Sequence, residues 1–91
     1  YATSGHVAEL IGNKIHILGG ESLQKNITFK SHWYFDLEKN VWVESLDLPY
    51  GLHGMGAGVI NNSLYVFGGA KSAGMNSFHS LQNKNFQFTC N

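Results

Sequence analysis

Short runs of apolar and β-branched residues recur along the chain, and a few polar residues separate each run from the next. The run HVAELI, residues 6–11, is followed by Gly12-Asn13, and KIHILGG, residues 14–20, comes next. Two short apolar runs joined by a turn of this type are typical of a β-hairpin. The apolar pattern therefore predicts strands and not helices.

A second pair of runs follows in the first half of the chain. HWYFDL, residues 32–37, and VWVESL, residues 41–46, are rich in aromatic and β-branched residues and are separated by Glu38-Lys39-Asn40. Such composition favours strands, and the polar residues between them favour a turn. One unit is therefore predicted to be four strands, with Pro49 and Gly51 in the link to the next unit.

The pattern repeats along the chain. Gly19-Gly20 coincides with Gly68-Gly69 after a shift of 49 residues, which is 68 minus 19, and the hairpin residues before each pair coincide without a gap. A period near 50 is typical of a propeller-blade repeat. Each double glycine ends a predicted strand, where we expect a close approach to a neighbouring sheet and a sharp exit of the chain.

These residues resemble the kelch repeat. The first unit has a double glycine, then an aromatic residue and an aspartate in the third strand, then a tryptophan in the fourth: Gly19, Gly20, Tyr34, Asp36 and Trp42, with Lys39-Asn40 between the last two. The stretch HGMGAGVINNSLYVFGGA, residues 53–70, resembles the first two strands of another repeat. The resemblance implies an all-β fold, a kelch-type β-propeller fragment of about two four-stranded antiparallel blades.

The predicted blades are residues 1–46 and 47–91. In the second blade, Lys84-Asn85 follows Lys39-Asn40 by 45 residues. The same shift aligns Gln87 with Trp42, so that a glutamine replaces the expected tryptophan. A slip of one residue would align Phe86 with Trp42 instead. We therefore expect the last two strands of this unit to be degenerate. A propeller ring needs about four to eight blades. The remaining blades are expected from the rest of a longer chain, and less readily from other chains.

Composition restricts the function. The 91 residues suffice for one small domain, and six basic residues balance six acidic ones, which gives no electrostatic argument for nucleic acid. The longest apolar runs are far shorter than the roughly 20 residues of a membrane span. Cys90 is the single cysteine, so no internal disulfide is expected. The sequence does not indicate a compartment.

The histidines do not form a compact metal-binding pattern. His6, His16, His32, His53 and His79 have spacings unlike known ligand motifs, so we expect strand and loop residues, no metal and no cofactor. His16 is predicted on the strand face opposite Ile15 and Ile17. In the fold that the resemblance implies, first strands line a central channel, which makes His6 and Glu9 candidates for its mouth.

The loops are the better candidates for binding, and the long connection from Glu21 to Ser31 is polar and is expected to be irregular. In kelch propellers, the loop after the double glycine and the loop that links blades lie on one face, which commonly binds partners. That resemblance makes a set of polar and aromatic loop residues candidate contacts for a protein partner: Glu21, Lys25, Lys30, Tyr50, His53, Lys71 and Asn76.

The sequence thus favours a protein-binding scaffold and assigns no catalytic residue. The alternative is a fragment of a sugar-acting propeller enzyme that resembles galactose oxidase or N-acetylneuraminate epimerase. The copper site of galactose oxidase does not transfer, because Tyr34 and Tyr65 lie in predicted strands and Cys90 is next to the end of the chain. A purely architectural segment of a larger assembly is the third alternative.

Overall fold

The computed structural model describes residues 4–73 and 85–89, and these contain strands and no helix. The predicted all-β class is confirmed. The strands in chain order are β1 Val7–Ile11, β2 Lys14–Leu18, β3 Glu21–Ser22, β4 Ile27–Thr28, β5 His32–Asp36, β6 Val41–Glu44, β7 Gly56–Ile60, β8 Ser63–Phe67 and β9 Asn85–Thr89.

The first sheet has four antiparallel strands in the order β1-β2-β5-β6. Both predicted hairpins are present, β1–β2 around Gly12-Asn13 and β5–β6 around residues 37–40. Gly12 and Asn40 have φ values of 61° and 57°. Glycine and asparagine tolerate this left-handed conformation better than other residues, which explains their place in the turns.

Asp36 organises the β5–β6 turn. Its Oδ1 accepts hydrogen bonds from the backbone N–H groups of Glu38 and Lys39, each at 3.0 Å, and its side chain is buried. We expect Asp36→Ala to lower the free energy of unfolding by about 1–3 kcal/mol, because two donors lose a charged acceptor. Urea unfolding measures this loss. Glu38→Gln is the control, and an equal loss in both variants would contradict the role of Asp36.

The double glycines end β2 and β8, where the chain meets neighbouring segments. A Cβ atom on Gly19 would lie 2.5 Å from the Met55 Cε and 2.6 Å from the Leu52 carbonyl oxygen. A Cβ on Gly69 would lie 2.7 Å from the Met55 Cγ. Both glycines have positive φ, 66° and 90°. The close approach is present, but it is to the segment between the two sheets and not, as expected, to a neighbouring sheet. Met55 of that segment lies beside both sites.

The second sheet has the order β7-β8-β9 and contains three strands in the described part of the chain. β9 pairs with β8, so that Phe86 lies opposite Val66. In the first sheet Trp33 lies opposite Ile17, which the repeat aligns with Val66. Phe86 and Gln87 therefore occupy the positions of Trp33 and Tyr34.

The predicted alignment of Phe86 or Gln87 with Trp42 was wrong. The offset between Trp33 and Phe86 is 53 residues, which is 86 minus 33, and not 45. The Lys-Asn pair is a local signal, whereas strand register is determined by which face is buried against the core. The connection from β8 to β9 is therefore four residues longer than the connection from β2 to β5, and β9 is the third strand of its sheet.

The segment after the first double glycine was predicted to be irregular. It contains a two-stranded antiparallel ribbon, in which β3 pairs with β4 and Glu21 lies opposite Thr28. Asn26, with a φ of 55°, lies in the turn of this ribbon.

The two larger sheets pack face to face and enclose the core. The first sheet contributes Val7, Ile11 and Leu18, and the second contributes Leu64 and Val66, with Phe86 and Phe88 packed against them. The segment between the sheets adds Leu48, Leu52 and Met55. The contact between the sheets thus forms most of the hydrophobic core of the described residues.

Candidate functional site

Both double-glycine exits lie at one end of the packed sheets. This loop end consists of residues 4–6, 19–31, 45–55 and 68–73. Backbone hydrogen bonds join its segments: Gly20 N–H donates to the Leu52 carbonyl, Gly54 N–H to the Gly5 carbonyl, and His53 and Ala70 exchange a pair. Loops that are fixed in this way to a rigid scaffold can present side chains in a defined geometry.

Glu21 and His53 meet at the loop end. The Glu21 Oε2 lies 3.4 Å from the His53 Nδ1, and both side chains are largely buried. The His53 Nε2 lies 2.8 Å from the Ser72 carbonyl oxygen, so this nitrogen carries the proton and donates. His53 therefore links the ribbon that begins at Glu21 to the loop after β8.

Lys71 and Tyr50 form a second contact at this end. The Lys71 Nζ lies 4.1 Å from the centroid of the Tyr50 ring. The Phe86 ring lies edge-on to the Tyr50 ring, with the two centroids 5.6 Å apart. A cation over an aromatic face is stabilised by about 0.5–1 kcal/mol at an exposed site. The Thr28 hydroxyl donates a 2.7 Å hydrogen bond to the Lys71 carbonyl. These contacts hold Lys71 beside the ribbon.

An open pocket of about 390 Å³ lies between the ribbon and the loop after β8. Of its residues, sequence reasoning selected Lys71 alone. The others were missed because their proximity depends on the ribbon, which the sequence pattern did not show. The pocket is lined by Asn26, Ile27, Thr28, Lys71, Ser72 and Ala73.

The structure brings together four of the predicted contact residues, namely Glu21, Tyr50, His53 and Lys71. Lys25 is exposed in the ribbon turn, where its N–H donates to the Ser22 hydroxyl. Lys30 is exposed, and its carbonyl accepts from the Leu48 N–H. Asn76 lies outside the described residues.

The two candidates for the channel mouth lie apart from the pocket lining. His6 is exposed just before β1, and Glu9 is half-buried in β1, opposite His16 of β2. Two sheets do not enclose a channel, so the role of His6 and Glu9 stays a prediction.

A buried histidine pair lies between the sheets, and sequence reasoning missed it. The His16 Nδ1 is 2.8 Å from the His32 Nε2, and the His32 Nδ1 is 3.0 Å from the Leu46 carbonyl oxygen. The two residues are 3% and 1% exposed. The face of His16 was predicted from its alternation with Ile15 and Ile17. Its partner follows only from the pairing of β2 with β5.

The hydrogen bonds define the protons of the neutral pair. A carbonyl only accepts, so the His32 Nδ1 carries a proton and its Nε2 accepts from the His16 Nδ1. The His16 Nε2 is then a buried acceptor without a partner. Burial lowers the pKa of His16 from 6.5 to about 4, with smaller contributions from His32 and Lys14. Burial also lowers the pKa of His32, against the opposing effects of the Leu46 carbonyl and Asp47.

A four-stranded antiparallel sheet, followed along the chain by a second sheet that repeats its pattern and packs against its face, is the arrangement of consecutive blades in a β-propeller. The family model described as Kelch motif matches residues 2–49, which is more than half of the chain. The chain therefore belongs to the kelch-repeat family, and the family predicted from the sequence is confirmed.

The chain is also similar to the human protein named Kelch domain-containing protein 1. The two are 32% identical over 78 residues, an alignment that covers 78% of this chain. The chain spans 19% of the length of that relative, about a fifth. Within residues 4–73 and 85–89, no helix is long and apolar enough to span a membrane.

Proposed function

We propose that the chain is part of a longer kelch propeller and that its loop end binds a protein partner. Kelch repeats are scaffolds that typically mediate protein interactions. The blade units of this proposal are residues 1–46 and 47–91. The specific partner surface is the pocket between the ribbon and the loop after β8, together with the Glu21–His53 and Lys71–Tyr50 contacts beside it.

The open face of the first sheet supports the proposal that further blades complete the ring. Leu10 and Trp42 on this face are 58% and 54% exposed. The repeat aligns Leu10, Ile15 and Ile17 of this face with Val59, Leu64 and Val66, which pack in the core between the two sheets. The open face is thus equivalent to one that is covered by a sheet, and another blade of the same protein would cover it in the same way.

One observation carries the proposed binding surface: residues from both repeats build the pocket. Asn26, Ile27 and Thr28 come from the first repeat, and Lys71, Ser72 and Ala73 come from the second. The Thr28–Lys71 hydrogen bond and the stacking of Lys71 on Tyr50 fix the position of the lysine. A preorganised side chain loses little conformational entropy on binding, which favours its use as a contact.

We expect a photo-crosslinking amino acid at Ile27 to capture a partner that the same group at Asn13, in the opposite β1–β2 turn, does not capture. Both side chains are exposed, so access to solvent is matched. With the captured partner purified, Lys71→Ala is expected to weaken binding by at least about fivefold, which is the loss expected if this preorganised lysine is one of the few contacts that carry most of the binding energy.

Lys39→Ala is the matched control for that measurement. Lys39 is an exposed lysine in the β5–β6 turn, at the end of the sheet opposite the loop end. The control is expected to bind with unchanged affinity. Capture from Asn13 alone, or weaker binding of Lys39→Ala with normal binding of Lys71→Ala, would place the partner at the other end and reject this surface.

The sugar-acting enzyme is the alternative, and no observation among the described residues favours it. Within that part of the chain, no three His, Cys, Asp or Glu side chains are grouped so that they could hold a metal ion. Tyr34 and Tyr65 lie in strands, as predicted, and the Tyr34 ring is 5.1 Å below the Lys14 Nζ.

A further inference from the structure

The His16–His32 pair can hold two ring protons in hydrogen bonds, but a third proton would have no acceptor. In the neutral pair, one proton lies between the His32 Nδ1 and the Leu46 carbonyl, and the other lies between the two imidazoles. A third proton could bind in two ways. It can sit on the His16 Nε2, which is buried without an acceptor, or on both facing nitrogens, which would direct two N–H groups at each other.

Either place makes a protonated pair costly inside the protein. A buried N–H without an acceptor loses its hydrogen bond to water, and a buried charge loses its hydration. We propose that the His16–His32 pair is a proton-sensitive latch, which keeps the two sheets packed while both imidazoles are neutral and loosens their contact when the pair takes up a proton.

The charged groups that face the pair from the first sheet have both signs. In the first sheet, the strand register puts Glu9, Lys14, Tyr34 and Asp36 on the same face as His16. Lys14 opposes protonation of His16. The acidic residue that favours protonation of His32 is Asp47, in the exposed segment after β6.

The second sheet gives no compensation within its described residues. The strand face that packs toward the pair carries apolar side chains: Ala57, Val59, Leu64, Val66, Phe86 and Phe88. The Phe88 ring lies edge-on to His32, with ring centroids 5.0 Å apart. Protonation therefore places charge against the apolar side of the contact, which is why we expect that contact to loosen.

The direction of the pH dependence follows from proton uptake. The unfolded chain protonates His16 near pH 6.5, whereas the folded protein resists protonation until about pH 4. Because the unfolded state then binds more protons, acid favours unfolding in this interval. The stabilisation is complete above about pH 6.5 and is lost progressively as the pH falls toward 4.

The test is urea unfolding of the full chain at pH 7 and pH 5, followed by circular dichroism. The folding equilibrium constant of the unaltered chain should fall by about 20-fold between these values from His16 alone. In the double variant His16→Leu/His32→Leu, which removes the whole polar pair, most of this fall should disappear. A double variant that keeps the full pH dependence would overturn the proposal.

His6→Gln is the matched control, because His6 is exposed and lies outside the contact between the sheets. The folding equilibrium constant of this variant should still fall by about 20-fold between pH 7 and pH 5. If His6→Gln removed as much of this pH dependence as the double variant does, the assignment to the buried pair would be overturned.

A second measurement needs no variant of the pair. Nitrogen-15 NMR of the imidazoles at pH 5.5 should show a neutral His16 ring with an unprotonated Nε2. Hydrogen-exchange protection of the β8 and β9 amides should fall as the pH approaches 4. A charged His16 at pH 5.5 in the folded protein, or protection that does not change with pH, would overturn the latch.

Discussion

Gly19→Ala is expected to lower the free energy of unfolding by about 2–5 kcal/mol. Two effects add at this position. Gly19 has a φ of 66°, where a Cβ atom costs about 1–2 kcal/mol. The new methyl group would also overlap the Leu52 carbonyl oxygen, at 2.6 Å, and the Met55 side chain. The Leu52 oxygen cannot easily move, because it accepts a 2.7 Å hydrogen bond from the Gly20 N–H.

Gly12→Ala separates the two effects. Gly12 has nearly the same φ, 61°, but nothing lies within 4 Å of the position of a Cβ atom. Its substitution should therefore cost only the conformational part, about 1–2 kcal/mol. Urea unfolding of both variants gives the comparison. Equal losses would show that the close approach at the double glycine does not matter, against our explanation of why the repeat keeps it.

Leu18→Ala is expected to lower the free energy of unfolding by about 2–5 kcal/mol, through lost burial and the cavity that remains. Leu18 is completely buried at the end of β2, where it belongs to the core between the two sheets. Thermal or urea unfolding measures the loss.

Leu10→Ala is the matched control on the other face of the same sheet. Leu10 is 58% exposed in β1, so its truncation should cost less than about 1 kcal/mol in this chain. A loss at Leu10 as large as that at Leu18 would mean that the open face is covered in solution. That result would contradict the exposure of Leu10 in this chain and would show that another molecule already covers the open face.

Local sequence patterns were sufficient to predict the hairpins β1–β2, β5–β6 and β7–β8 and the kelch family. These features depend on local chemistry. Asn61-Asn62, both with positive φ, and the turn at Asn40 follow from the tolerance of asparagine for left-handed backbone. The double glycines follow from the need for a backbone without side chains at a close approach. Because the first hairpin and the double glycine each lie within a few residues, the repeat shift of 49 was sufficient to find both of them twice.

Features that join residues far apart in the chain could be seen only in the folded protein. The register of β9 was predicted wrongly from the local Lys84-Asn85 pair, because burial against the core determines the register. The candidate site combines Glu21 with His53, and Thr28 with Lys71, which are 32 and 43 residues apart. His16 and His32 are neighbours only because β2 pairs with β5. Such contacts leave no local pattern, since they depend on how loops and sheets pack together.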